Sequence, residues 1–291
     1  MTDLQNQIGG SYSHWFLFKQ FENGKKIYSD EYKKIAIAIL NKQLRLVTNL
    51  LDSGYDVNLK DKYKHTLLMI ASQKNNVPII KLLLSKNADI NKKDYWGDSA
   101  LMVATRFRNI NNIELLLENG ADINSKSKGK YTCLMFAIIK GYSDIIKLLI
   151  KKGAKINIKN EDGNDALMIA SEYGRREIVE LLLLNGANNV NITDDNGWST
   201  LMHATNSRNI KIVELLLSNG ANINYNINEK INVLTIAANN NNVKMLKFLE
   251  SKGVILTDNI AKIIKKNIEK TIEKTSRKIS EKTSRKITRK N

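Results

Sequence analysis

Six times along the chain an apolar tetrad returns with alanine at its end: Leu68-Met69-Ile70-Ala71, Leu101-Met102-Val103-Ala104, Leu134-Met135-Phe136-Ala137, Leu167-Met168-Ile169-Ala170, Leu201-Met202-His203-Ala204 and Leu234-Thr235-Ile236-Ala237. The lead leucines are 33, 33, 33, 34 and 33 residues apart, and a fixed period of this size means stacked supersecondary units in place of one globular core. After each tetrad comes a second apolar run of helical length, as in Ile79 to Leu84, Ile113 to Leu117, Ile145 to Ile150, Ile178 to Leu183 and Ile212 to Leu217. Gly54, Gly120, Gly153, Gly186, Gly220 and Gly253 close these runs, with Asn87 in the same slot of the second unit. Glycine and asparagine tolerate the left-handed conformation that ends a helix. Each unit is therefore predicted to be a turn, a short helix, a second helix and a cap.

The polar positions keep the same period. Asp61, Asp94 and Asp194 stand at turn starts, where a carboxylate accepts backbone N–H groups. The single long interval has a local cause, because Gly186-Ala187-Asn188-Asn189-Val190-Asn191 carries one residue more than Gly120-Ala121-Asp122-Ile123-Asn124. An extra loop residue costs little. The first unit is degenerate, with Ile35 and Ala38 in the Leu68 and Ala71 slots and Val47, Leu50 and Gly54 in register, and it reads as an N-terminal cap. One period beyond Leu234 lies Asn267, with Lys270 in the small-residue slot, so the array ends near Asp258.

These residues resemble the ankyrin repeat. Asp94-Tyr95-Trp96-Gly97-Asp98-Ser99-Ala100-Leu101-Met102-Val103-Ala104, with its Leu115-Leu116-Leu117-Glu118-Asn119-Gly120-Ala121-Asp122-Ile123-Asn124 ending, is similar to one such unit from end to end. The resemblance implies an all-α ankyrin-repeat solenoid of about seven helix-turn-helix units with short β-turn tips over residues 29 to 258. The units fall at about 29–60, 61–93, 94–126, 127–159, 160–193, 194–227 and 228–258. The signature proline is replaced by Leu67, Ala100, Cys133, Ala166, Thr200 and Val233, and the signature histidine by Met69, Met102, Met135, Met168, Met202 and Thr235. Methionine fills space where histidine would bond neighbouring turns, so the turns are expected to be tied less tightly. The repeat style, on its Asn/Lys/Ile-rich background, also resembles ankyrin proteins of giant DNA viruses and intracellular bacteria.

Composition adds bounds. One cysteine, Cys133, excludes an internal disulfide framework and fits a reducing, intracellular setting. No signal peptide is expected, and the sequence has no apolar run of membrane-spanning length. Three histidines, His14, His65 and His203, fall in unrelated segments. Zinc-ligand spacing, phosphate loops and nucleophile signatures are absent from the sequence. His203, in an otherwise aliphatic tetrad slot, is expected to be a partly buried packing residue. No enzymatic activity, metal or cofactor is expected.

Function is then expected on a surface, and the resemblance points to the concave groove built from turn tips and first helices. The slots carried over are Lys62, Tyr63, His65 and Lys74; Tyr95, Trp96, Arg106 and Phe107; Lys128, Tyr131 and Lys140; then Tyr173 and Trp198. Aromatic and arginine side chains are common interface anchors. Tyr95 and Trp96 have a structural alternative, which is simply to lie across the neighbouring turn. Lysines dominate the second to fourth units and acids the fifth and sixth, so a protein partner with an acidic surface would suit the first half. A monomer is expected.

The flanks differ. Residues 1–28 fit no repeat and cluster Trp15, Phe16, Phe18 and Phe21, which suits either a cap over the first unit or a docking peptide. From Asn259 to Asn291 there are 12 Lys and Arg against 3 Glu, a net of +9 in a chain of +17. Ile260, Ile264, Ile268 and Ile272 recur every four residues, and an eight-residue repeat follows. A helical C-terminal cap that becomes a solvated basic tail fits this pattern. The alternative is binding of nucleic acid or anionic lipid through Lys265, Lys266, Arg277, Lys278, Arg285, Lys286, Arg289 and Lys290.

Overall fold

A computed structural model of the chain describes residues 29–227 and 230–258, together with 261, 262, 264, 265 and 269. The readings of the 1–28 segment and of most of the basic tail, from Lys266 through Arg277, Lys278, Arg285, Lys286, Arg289 and Lys290, lie outside the described residues. Lys265 is described and exposed.

The described residues form an all-α repeat architecture of seven helix pairs. In chain order these are α1 (Asp30–Leu40) and α2 (Leu44–Asp52), α3 (Leu67–Gln73) and α4 (Val77–Ser85), α5 (Ala100–Arg106) and α6 (Ile110–Glu118), α7 (Cys133–Lys140) and α8 (Ser143–Lys151), α9 (Ala166–Glu172) and α10 (Arg176–Leu184), α11 (Thr200–Asn206) and α12 (Ile210–Ser218), and α13 (Val233–Asn239) and α14 (Val243–Ser251). Extended pairing among the described residues is limited to isolated bridges at turn bases, such as Lys60 with Thr66 and Thr193 with Ser199. No described helix is long and apolar enough to cross a membrane.

Two compact units are present, one within residues 1–137 and 144–154 and the other within 138–143 and 155–291. In the first, α3 packs between α1 and α5, and α4 between α2 and α6. In the second, α11 packs between α9 and α13, and α10 packs on α12. First helices thus stack on first helices and second on second.

Local chemistry explains the boundaries. Each short helix opens on a side-chain cap: Thr66, Ser99, Thr132, Asp165, Ser199 and Asn232 accept the N–H three residues on, at 2.9 to 3.4 Å. Such caps satisfy amides that a helix start leaves unbonded. The closing Gly54, Gly120, Gly153, Gly186, Gly220 and Gly253, and Asn87, all take positive φ as the sequence pattern predicts. All six tetrad alanines are fully buried, because a larger side chain would hold neighbouring helices apart. At roughly 1.5–3 kcal/mol per buried aliphatic side chain, stacking supplies the gross stabilisation, and most of it is offset by ordering entropy.

Neighbouring turns are tied by their backbones. The Tyr95 N–H donates to the Tyr63 carbonyl at 2.8 Å, the Lys128 N–H to Trp96 at 2.8 Å and the Asp195 N–H to Asp162 at 3.0 Å. These tip-to-tip amide bonds do not depend on the residue that replaces histidine. Met69 does more than fill space, because its sulfur accepts the Thr66 N–H at 3.4 Å.

Candidate functional site

Three of the turn tips are built on an aspartate at their start. Asp61 Oδ1 accepts the N–H groups of Tyr63 and His65 at 2.9 and 2.8 Å. Asp94 Oδ1 accepts those of Trp96 and Asp98, both at 2.8 Å, and Asp194 Oδ1 those of Asn196 and Trp198 at 2.9 and 2.8 Å. In these three tips the acceptor fixes the backbone from which the tip side chains leave.

In the first unit the tips assemble an aromatic and cationic surface. Trp96 stacks on Tyr63 with ring centroids 5.6 Å apart and meets Tyr95 edge-on at 5.5 Å. Tyr95 is 54% exposed, and Lys128 Nζ lies 3.7 Å from its ring centre. Lys62 Nζ lies 4.7 Å from the Tyr63 ring centre. Lys62 and Lys128 are exposed, while Tyr63, Trp96, Lys74 and Phe107 are half-buried. The structural alternative therefore holds for Trp96, which lies across the neighbouring turn, and not for Tyr95.

Three candidates belong beneath this surface and not on it. His65 is fully buried, Arg106 is 8% exposed and Tyr131 is 5% exposed. For His65 and Arg106 the following repeat causes this, since Trp96 stacks over His65 at 5.6 Å and the Arg106 guanidinium sits 3.6 Å from the Phe136 ring centre, whereas Tyr131 stacks at 5.6 Å on Phe136 of its own repeat. His65 Nδ1 pairs with Asp61 Oδ2 at 2.7 Å, and its Nε2 lies 3.9 Å from Asp94 Oδ2. Arg106 Nη2 pairs with Asp98 Oδ2 at 3.1 Å. Burial, reinforced by the Asp98 charge, pushes the Asp94 carboxyl up to about 6. Burial also raises Asp98 against the pull of Arg106. Cys133, fully buried nearby, is pushed up to about 12 by burial, so its thiol stays protonated and inert.

The second unit carries its own, differently charged face. Trp198 packs on His203 with centroids 5.5 Å apart, and His203 Nε2 bonds Asp194 Oδ2 at 3.0 Å. His203 is 8% exposed, so the packing role expected of it is joined by a hydrogen bond to Asp194. Burial pushes Asp194 upward, but the His203 bond and the turn N–H groups outweigh it and hold the carboxyl below its ordinary value. Glu161 and Asp195 are exposed at these tips, and Tyr173 and Trp198 are half-buried. Lys140 is exposed at the end of α7.

No group of three or more His, Cys, Asp or Glu among the described residues is placed to hold a metal ion. One further residue recurs with the repeats, the asparagine at 58, 91, 124, 157, 191 and 224. Asn58, Asn91, Asn191 and Asn224 each accept the backbone N–H of the residue 31 positions on, at 2.7 to 2.8 Å. The column survives the one-residue insertion, and its period was the available signal.

The family model described as ankyrin repeats (3 copies) matches residues 35–127, 124–191 and 186–260. No curated protein matches the chain.

Proposed function

The chain belongs to the ankyrin repeat family, whose repeats are generally protein–protein interaction modules, and on that premise we propose that it is a scaffold or adaptor binding another protein through its turn-tip and first-helix faces. The observation that carries this reading is the surface of the first unit. Its core is complete without Tyr95, yet that ring stays 54% exposed beside half-buried Tyr63 and Trp96. Aromatic side chains that contribute little to folding but are held rigidly at a surface are suited to anchor a partner.

The test is capture of binding proteins by the full chain, followed by titration of each one against a Tyr95→Ala, Trp96→Ala, Phe107→Ala, Trp198→Ala variant. A protein that binds the wild type and is lost by the variant, with the helical circular dichroism unchanged, is the expected result. Equal binding by both would remove these faces from the account.

A further inference from the structure

We propose that the tip strip of the first unit takes an extended acidic segment of a partner protein, with Lys62, Lys64, Lys128 and Lys130 as its carboxylate contacts. This deepens the interaction reading above and rests on it.

Charge sets the class of ligand. Across the three tips at 60–66, 93–99 and 126–132, seven lysines are exposed, while the three carboxylates Asp61, Asp94 and Asp98 are all buried. The surface field there is of one sign, which favours and steers an anionic partner. Not every lysine is available to it. Lys93 Nζ donates to the Lys126 carbonyl at 2.8 Å, and one period further Lys159 Nζ donates to Thr193 at 3.0 Å. Lys60 and Lys126 share that column at the bases of their tips, and Lys62, Lys64, Lys128 and Lys130 stand on the tips themselves.

Those four show features that the fold does not require. The Lys62 and Lys128 ammonium groups rest on the Tyr63 and Tyr95 rings, so part of the entropy that a surface lysine loses on binding is already spent. Lys64 and Lys130 have φ of 64° and 58°, in a slot where the other tips use Gly97, Gly163 and Gly197. A residue with a side chain costs roughly 1–2 kcal/mol in that conformation, and such strain concentrates where the side chain is used. The tip-to-tip bonds at 2.8 Å fix the spacing between the two lysine pairs, with Tyr95 and Trp96 between them. A linear run of carboxylates around one apolar residue matches this order.

The experiment titrates the full chain with a fluorescein-labelled peptide of glutamates around a central leucine, and separately with single-stranded DNA of equal charge. Lys62→Glu with Lys128→Glu should weaken peptide binding about tenfold. Lys64→Gly with Lys130→Gly should weaken it several-fold without lowering the melting temperature, because glycine relieves the backbone. Unchanged peptide affinity in both variants would assign the binding to the basic tail and overturn the proposal. So would DNA that binds more tightly than the peptide and is the ligand lost in these variants. If the proposal fails while captured proteins still depend on Trp96, only the acidic class of partner is wrong and the scaffold reading stands.

Discussion

Asn91 holds Asp122 with one end of its side-chain amide and the turn before it with the other: Oδ1 accepts the Asp122 N–H at 2.8 Å, and Nδ2 donates to the Gly120 carbonyl at 3.2 Å. Asn191 repeats both bonds, to Asn222 at 2.7 Å and Gly220 at 2.9 Å. The groups are exposed, so water competes for them, and Asn91→Ala should cost about 1 kcal/mol. Asn91→Asp keeps the acceptor and loses the donor, and should cost less than the alanine variant. Urea midpoints at constant slope check the order.

Asp98 and Arg106 are a different case because both are buried. Arg106→Ala leaves an uncompensated carboxylate and exposes one face of Phe136, and it should cost about 3–5 kcal/mol. Replacing the pair together, Asp98→Asn with Arg106→Met, should recover most of that loss, since a buried ion pair offsets its own desolvation poorly. A double-mutant cycle measured by urea unfolding gives the coupling. Additive losses would show that the pair is not coupled.

Asp94 makes stability depend on pH with a definite sign. Its folded value, about 6, lies above the ordinary 3.8, so the folded state binds the proton more tightly than the unfolded chain does. The stabilisation is full below about 4 and is lost as pH rises through about 6, amounting to roughly 3 kcal/mol at most. Asp94→Asn keeps an acceptor for the turn and removes the titration. The wild type should therefore gain on the variant as pH falls from 7 to 4, and a difference independent of pH would refute the assignment.

The fold was legible in the sequence because stacking leaves a fixed imprint. The buried alanine slot, the left-handed glycine and the turn-start aspartate each answer to one local requirement that recurs every unit. The face was legible only in part. Whether such a side chain is exposed depends on the aromatic rings that pack over it, from the following repeat or its own, and register does not decide it. His65, Arg106 and Tyr131 occupy outward slots by register, yet Trp96 and Phe136 bury them. Lys93 is exposed like its neighbours and also ties to the Lys126 carbonyl. Register alone shows neither effect.

The same dependence makes Gly97 a sensitive position of the tips. A Cβ there would lie 2.8 Å from the Lys128 backbone nitrogen and 3.0 Å from the Ser127 carbonyl carbon. That nitrogen is the donor to Trp96, so Gly97→Ala must push the following tip away and break the bond between them. Added to the strain of alanine at φ 78°, the loss should reach about 2–4 kcal/mol. Gly120→Ala is the control, because its φ is 89° and nothing lies within 4 Å of the added carbon. It should cost only the backbone strain, roughly 1–2 kcal/mol. Urea unfolding of the two variants separates conformational strain from contact, and equal losses would mean that the neighbouring tip yields freely and the strip is not rigid.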